Sequence, residues 1–327
     1  MAIVNYFYYD TINDFEHRKS SEKDTPDIFL SELIAYSLSF GDYGNFKSAI
    51  LSLLQYTSLP LLLLDTNTGK YTASDTYKRS ESSFKGAYSF FLGMLAAKLV
   101  ANRKYNIRHL FHLTDDIVDY FPTGGLHPDF VGEEDLDTAH LFEAKGSSSS
   151  RKTSAAKDGK EQVNAIHRIR HLGRPGNYKN IAKTVVASSF PKNVWTIDDI
   201  DPEESGDVTL SLDFDKAMFL YYHTIMKLLL HDSSRSERTF SDVQYICIQI
   251  TDELCVGLHK GCYDFFQEGY GQYFKSQIPL SQIDVEPERF YPGIYDRITS
   301  ILSSFTPPEA TETLSILPDG ILCSSTL

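Results

Sequence analysis

Cysteine is scarce in this 327-residue sequence, and the spacing of the four cysteines excludes several classes of protein. No CxxC pair occurs, and no neighbouring cysteines and histidines have the spacing of a zinc finger. We therefore expect reduced, buried thiols in a cytosolic protein. A Walker A motif is absent too, because Gly41–Ser48 has the wrong spacing, and this argues against an ATPase.

Long hydrophobic runs are also missing. The longest, Leu51–Leu64 and Tyr88–Val100, are too short to cross a bilayer, and they contain Pro60 and Lys98. The N-terminus has no basic stretch followed by an apolar one, so the sequence predicts no secretory signal. We expect a cytoplasmic protein that makes no membrane contact.

Positive charge is in short supply over the whole chain but concentrated in one segment. With 31 basic and 44 acidic residues the net charge is −13, which argues against a general nucleic-acid binder. Residues 144–184 nevertheless contain ten basic and two acidic residues. Either this is a solvated face or, as the asymmetry favours, a strip that faces phosphates. The candidate nucleic-acid-binding residues are Arg151, Lys152, Lys157, Lys160, Arg168 and Arg170.

Apolar spacing predicts the elements on either side of this segment. The strongest predicted helix runs over 80–101, with Ser80 as its expected N-cap and an apolar residue at every third or fourth position. A strand is expected at Ile107–Leu113 and another at Lys183–Phe190. Between them, a helix that begins at Asp158 would place Gln162, Ile166 and Ile169 on one face.

The stretch from Leu126 to Lys145 carries the residues with the clearest chemistry. Pro128-Asp129 and Glu143-Ala144-Lys145 each lie in a short apolar run bounded by glycines, which predicts two strands. Alternate side chains of a strand share a face, so Glu143 and Lys145 point the same way. If the two strands pair, Asp129 joins them, and two carboxylates and an ammonium group converge.

Such a cluster suits phosphate chemistry. Two carboxylates are ligands for Mg2+ or Mn2+, which retain waters and can polarise a phosphoryl oxygen. A lysine beside the metal can orient the attacking water or offset developing charge. The alternative is an ordinary hairpin whose glutamate and lysine form a solvated pair.

These residues resemble the core motif of the PD-(D/E)XK, or restriction-endonuclease-like, nuclease superfamily. The resemblance covers about the middle third of the chain, and the predicted order of helices and strands matches that core. It implies a Mg2+-dependent phosphodiesterase with Asp129 and Glu143 as metal ligands and Lys145 as the catalytic lysine. It also implies that Gln162, on the following helix, supports the site. By the same resemblance Glu81 is a candidate additional metal-site acid, although a helix dipole favours a carboxylate there as well.

We therefore expect an α/β protein with a restriction-endonuclease-like mixed sheet flanked by helices. The predicted division is a mostly helical segment 1–79, a nuclease core 80–200 and an α/β extension 201–327. The expected activity is hydrolysis of DNA, as an effector subunit in bacterial restriction or anti-phage defence. The net negative charge of the chain suggests that a partner subunit or homo-oligomerisation gates this activity. The alternatives are a non-catalytic nucleic-acid-binding or assembly subunit that keeps the fold, and an interaction protein.

Overall fold

The computed structural model describes residues 1–40, 57–114, 117–118, 127–172, 177–202, 206–231, 235–275 and 293–325. Leu126 and residues 51–56 of the longest apolar run lie outside them. The chain divides by its contacts into two compact units. The first unit comprises Met1–Ile28 and Leu61–Asp213, and the second comprises Phe29–Pro60 and Phe214–Leu327. This division differs from the predicted bounds at residues 79 and 200.

The described residues form eighteen strands. In chain order these are β1 (Ala2–Ile3), β2 (Asn5–Tyr9), β3 (Glu22–Asp24), β4 (Asp27–Ile28), β5 (Leu64–Asp65), β6 (Thr72–Ala73), β7 (Leu110–His112), β8 (Phe130–Asp135), β9 (Thr138–Gly146), β10 (Ile166–His171), β11 (Asn180–Ser189), β12 (Thr196–Ile200), β13 (Val208–Leu212), β14 (Ser236–Phe240), β15 (Val243–Thr251), β16 (Leu254–His259), β17 (Leu314–Ile316) and β18 (Ile321–Ser325). The described part of the N-terminal 79 residues, 1–40 and 57–79, thus contains six short strands besides its helices.

The helices lie between these strands. They are α1 (Ile12–His17), α2 (Leu30–Leu38), α3 (Asp75–Arg79), α4 (Ser82–Arg103), α5 (Thr153–Asn164), α6 (Phe214–His231), α7 (Lys260–Lys275) and α8 (Ile294–Leu302), with a short 3-10 turn at Pro191–Asn193. Residues 57–63 are helical as well.

The first unit is built on a seven-stranded mixed sheet with the order β3-β2-β12-β11-β9-β8-β7. Strands β8 and β9 pair antiparallel, whereas β9 and β11 are parallel and joined through α5. Helices α4 and α5 both pack on β9 and β11. The mixed α/β class expected from the sequence is therefore confirmed.

The two helices cover opposite faces of β9. A Cβ atom added at Gly159 of α5 would lie 3.1 Å from Glu143 Cγ and 3.2 Å from Lys145 Cε. We call the side with these two side chains the site face. A Cβ atom at Gly146 would point to the other side and meet the Ser89 carbonyl of α4 at 1.8 Å. We call that side the closed face.

The second unit contains a five-stranded antiparallel sheet with the order β14-β15-β16-β18-β17. Helices α2, α6 and α7 pack on its strands, and α8 packs on α6 and α7. All four cysteines lie in this unit, buried and without disulfides, as predicted. The aromatic stretch 261–275 belongs to α7, where Tyr263 and Phe266 are buried.

Helix α4 is the one described helix that is long and apolar enough to cross a membrane by length and composition. Within its most apolar window, 67 % is buried in the protein. Because α4 packs on β9 and β11, that burial accounts for its apolar character, as it does for the core helix of a soluble protein.

Several predicted boundaries are wrong. Helix α5 begins at Thr153 rather than Asp158, and its N-cap is Lys152. It ends at Asn164, so Ile166 and Ile169 lie on β10 and not on the helix. The N-cap of α4 is Glu81 rather than Ser80.

Candidate functional site

The two acidic residues of the motif meet where β8 begins beside β9. Asp129 comes directly before β8, and the register pairs the next residue, Phe130, with Phe142 of β9. The Asp129 backbone N–H donates to Glu143 Oε2 at 3.0 Å, and the Ala144 N–H donates to Asp129 Oδ2 at 2.9 Å. Each carboxylate is therefore held by the backbone of the opposite strand.

Lys145 and Gln162 complete the cluster. Lys145 Nζ lies 2.5 Å from Glu143 Oε1 and donates to Gln162 Oε1, also at 2.5 Å. Gln162 Nε2 in turn donates to the carbonyl of His127 at 3.1 Å. The hydrogen bonds thus lead from Asp129 through Glu143, Lys145 and Gln162 back to the chain two residues before Asp129. We call these four side chains the carboxylate–lysine cluster.

Close packing of α5 makes this arrangement possible. A Cβ atom at Gly159 would lie 3.0 Å from Val185 Cγ1, in addition to its close approaches to Glu143 and Lys145. Contacts of this length are tighter than an ordinary van der Waals contact, so a larger residue would displace the two stems. The absence of a side chain lets the helix bring Gln162 down to the ammonium group. Sequence reasoning missed Gly159, although a glycine inside a helix is itself a signal.

The two carboxyl groups are short of solvent and close to each other. Glu143 is 1 % exposed. Its burial, together with the neighbouring charge of Asp129, raises the pKa of Glu143 to about 8, while Lys145 acts in the opposite direction. Burial also raises the pKa of Asp129, against the lowering effect of the Ala144 N–H. Both groups therefore favour binding a proton or a further cation.

The donor set bears on the metal expected from the sequence. Two carboxylates that face each other in a partly buried site fit Mg2+ or Mn2+, which bind through one or two carboxylates and retain water. Over the part of the chain that the structure describes, no group of three or more His, Cys, Asp or Glu side chains is placed to hold a metal. The protein ligands would thus be Asp129 and Glu143.

Glu81 is not brought to the cluster. It is exposed at the N-cap of α4, where its Oε2 accepts a hydrogen bond from Ser83 at 2.6 Å. Helix α4 reaches β9 at Ser89 and Gly93. At about 1.5 Å per residue those contacts lie roughly 12 to 18 Å further along the helix axis.

The candidate nucleic-acid-binding residues are dispersed. Arg151 is directed inward, 2.7 Å from the buried carboxylate of Asp198 and over the ring of Phe7. Lys157 forms an ion pair with Glu16. The remaining four are Lys152 at the N-cap of α5, the half-buried Lys160 within it, and Arg168 and Arg170, both exposed on β10.

Comparison with known proteins identifies no relative of this chain. No family model, no curated protein and no solved structure matches the chain.

Proposed function

We propose that this chain is a metal-dependent nuclease of the PD-(D/E)XK type that hydrolyses DNA phosphodiester bonds. One observation carries the proposal: Asp129, Glu143, Lys145 and Gln162, which the motif singles out, form one hydrogen-bonded cluster. An ordinary hairpin has no need to place a glutamine from a later helix 2.5 Å from the lysine.

The roles follow from the contacts. Asp129 and Glu143 would hold Mg2+ or Mn2+. A bound metal of this kind polarises a phosphoryl oxygen and lowers the pKa of a bound water. Lys145 places its ammonium group beside Glu143, where it can offset negative charge that develops on the phosphorus-bound oxygens. Gln162 fixes that ammonium group and is itself fixed by the His127 carbonyl.

The setting of this activity belongs to the same proposal. A net charge of −13 weakens binding to a polyanion, so a partner subunit or a second copy of the chain would supply affinity or gating. Bacterial restriction or anti-phage defence is the role that the superfamily resemblance implies. The second candidate, a non-catalytic nucleic-acid-binding or assembly subunit, keeps the cluster for structure alone.

Cleavage of plasmid and linear DNA tests the chemistry. Purified protein is incubated with Mg2+, Mn2+ or EDTA, beside Lys145→Met and the control Lys19→Met, which removes an exposed lysine from the same unit. We expect metal-dependent cutting by the wild type and the control and none by Lys145→Met. Equal cutting by all three would contradict the assignment.

Thermal unfolding tests the metal separately from cleavage. At a metal concentration of a hundred times Kd, binding stabilises the folded state by about 2.7 kcal/mol. We expect a metal-dependent rise in Tm for the wild type and for Asp135→Asn, which changes an exposed acid of β8, but not for Asp129→Asn. If the wild type neither cuts DNA nor responds to metal, the non-catalytic candidate replaces the nuclease.

A further inference from the structure

A polar cavity lies in the first unit, at the start of strands β9 and β11. It has a volume of about 910 Å³, and Thr138 of β9 is one of the residues that line it. We call it the basic cleft. Its polar and charged lining includes His167, Arg168, Asn177, Lys179, Asn180 and Lys183.

The charge of the basic cleft is opposite to that of the chain. Arg168, Lys179 and Lys183 bring three fixed positive charges, and none of the described residues that line the cleft is acidic. Lys179 Nζ lies 2.8 Å from Asp137, but both side chains are more than half exposed. An ion pair this exposed is worth little, so a phosphate can replace Asp137.

The basic cleft lies where β9 and β11 begin, and part of its lining, Ile181 and Lys183, belongs to the same sheet face as the carboxylate–lysine cluster. Lys183 of β11 pairs with Leu141 and Val185 pairs with Glu143, so Lys183 belongs to the site face. Thr138 lies five residues before Glu143 on β9, which at about 3.3 Å per residue is roughly 16 Å. Phosphates of one strand of duplex DNA advance about 3.4 Å per base pair along the axis. The separation thus corresponds to about five base pairs.

We propose that the basic cleft binds the phosphodiester backbone of a nucleic-acid strand, about five nucleotides from the bond that the carboxylate–lysine cluster would cut. The second part of this proposal, the distance to the bond that is cut, rests on the proposed nuclease function. The cleft offers cationic and amide donors, which recognise phosphates. Tyr178, which also lines the cleft, donates its hydroxyl to Glu133.

The test is binding in EDTA, where metal-dependent cutting cannot occur. The variant Arg168→Ala/Lys179→Ala removes two exposed cations of the cleft. The matched control Lys78→Ala/Arg79→Ala removes two cations of α3 that, like Lys179, form ion pairs with an aspartate. Both double variants change the net charge equally. Fluorescence anisotropy is measured with labelled 20-mers of duplex DNA, single-stranded DNA and single-stranded RNA at several salt concentrations.

We expect the cleft variant to bind the preferred nucleic acid at least about tenfold more weakly, with a salt slope reduced by about 1 for each lost phosphate contact. The control is expected to retain wild-type affinity and slope. The preferred 20-mer identifies which nucleic acid supplies the backbone.

Three results overturn the inference: equal weakening by both double variants, unchanged binding by the cleft variant, or no salt-dependent binding by the wild type at low salt. The proposed nuclease fails on a different observation. If the cleft variant loses binding while the wild type shows no metal-dependent cutting, the basic cleft stands and the nuclease does not. If the wild type cuts DNA and the cleft variant binds as tightly as the wild type, the nuclease proposal stands and the cleft proposal is wrong.

Discussion

The two faces of β9 carry similar polar groups, but these groups are arranged differently on each face. On the site face, Glu143 and Lys145 meet Asp129 and Gln162. On the closed face, His140 Nε2 lies 2.9 Å from Thr184 Oγ1, and a short hydrogen-bonded chain continues across the sheet to Asp199 of β12. A single strand thus carries two buried polar clusters back to back.

Neutral donors surround the acid on the closed face. Asp199 is fully buried, and the hydroxyl groups of Tyr6 and Tyr105 donate to its Oδ2 at 2.6 and 3.2 Å. Burial raises the pKa of Asp199 to about 7 and lowers the pKa of His140 to about 3, so both groups favour their neutral forms. We call Tyr6, Tyr105, Thr184, His140 and Asp199 the tyrosine cluster.

The site face is arranged differently, because two carboxylates there share one ammonium group. Facing carboxylates repel each other, and their burial opposes ionisation, so this arrangement costs folding free energy unless a cation binds. The comparison teaches that a hydrogen-bonded network of neutral groups supports a fold, whereas a pair of acids short of positive charge is suited to a ligand. Substitutions on the two faces should therefore affect different properties.

Glu143→Gln should have the largest effect on catalysis and little effect on folding. Gln retains an acceptor for the Asp129 N–H but cannot contribute a charged metal ligand. We expect cleavage to fall by about a thousandfold or more, which is about 4 kcal/mol in the barrier. The free energy of unfolding without metal should change by less than about 1 kcal/mol, because a neutral amide replaces a buried acid. Cleavage rates and urea unfolding check the two parts, and a large loss of stability would count against the assignment.

Asp199→Ala should show the reverse pattern. It leaves the hydroxyl groups of Tyr6 and Tyr105 buried without their acceptor, which costs about 3 kcal/mol of stability. The metal-dependent rise in Tm, measured at pH 6, should persist because the carboxylate–lysine cluster is unchanged. Loss of the metal response with Tm unchanged would show that the two faces are not independent in this way.

Gly159→Ala tests the close packing of helix α5 against the carboxylate–lysine cluster. The new Cβ atom would press on the stems of Glu143 and Lys145, and displacements near 1 Å can cost about a hundredfold in rate. Stability should change by less than about 1 kcal/mol, since alanine favours the helix. The matched control is Gly86→Ala in α4, where no atom lies within 4 Å of the added Cβ. We expect normal cleavage and a small gain in stability from the control.

The smallest effect is the pH dependence contributed by Asp199. Its pKa is about 7 in the folded protein and 3.8 for an ordinary aspartate, so between those values the folded state retains a proton that the unfolded chain releases. Stability from this group is therefore present at low pH and lost as pH rises towards 7, by up to about 1.4 kcal/mol per pH unit. Asp199→Asn should flatten the slope of unfolding free energy against pH between 4 and 7. An identical slope in wild type and variant would contradict this pKa.

The strands of the motif could be predicted because their signals are local. Short apolar runs bounded by glycines, with a period of two, place Glu143 and Lys145 on one face of β9, and the structure has them there. The assignment of Gln162 to the following helix is confirmed as well. The metal, the cleavage and the superfamily remain predictions.

The helix predicted past Asn164 failed for an identifiable reason. Ile166 and Ile169 are three residues apart, which suggests a helical stripe, yet both are buried on β10. The pairing of β10 with β13 shifts register between Ile166 and Arg168, and such an irregularity can return both isoleucines to one face. A local pattern cannot distinguish a helix from a strand with a bulge.

Arg151 could not be placed from the sequence because its partner is distant along the chain. The density of positive charge in the sequence suggests a phosphate contact for Arg151. In the structure, its guanidinium group forms an ion pair with Asp198 inside the first unit. A run of basic residues reports the average charge of a segment and not the direction of each side chain. The basic cleft likewise depends on which of those residues β10 and β11 bring together.

The contacts of the carboxylate–lysine cluster have a consequence for the order of folding. Its hydrogen bonds join residues separated by only 2 to 35 positions. The tyrosine cluster instead requires Tyr6 to find Asp199, 193 positions away. Closing a short loop costs less chain entropy than closing a long one, and local contacts form sooner. We therefore expect the segment 127–164 to acquire its arrangement early and the N-terminal strand β2 to join the sheet late, as the step that completes the first unit.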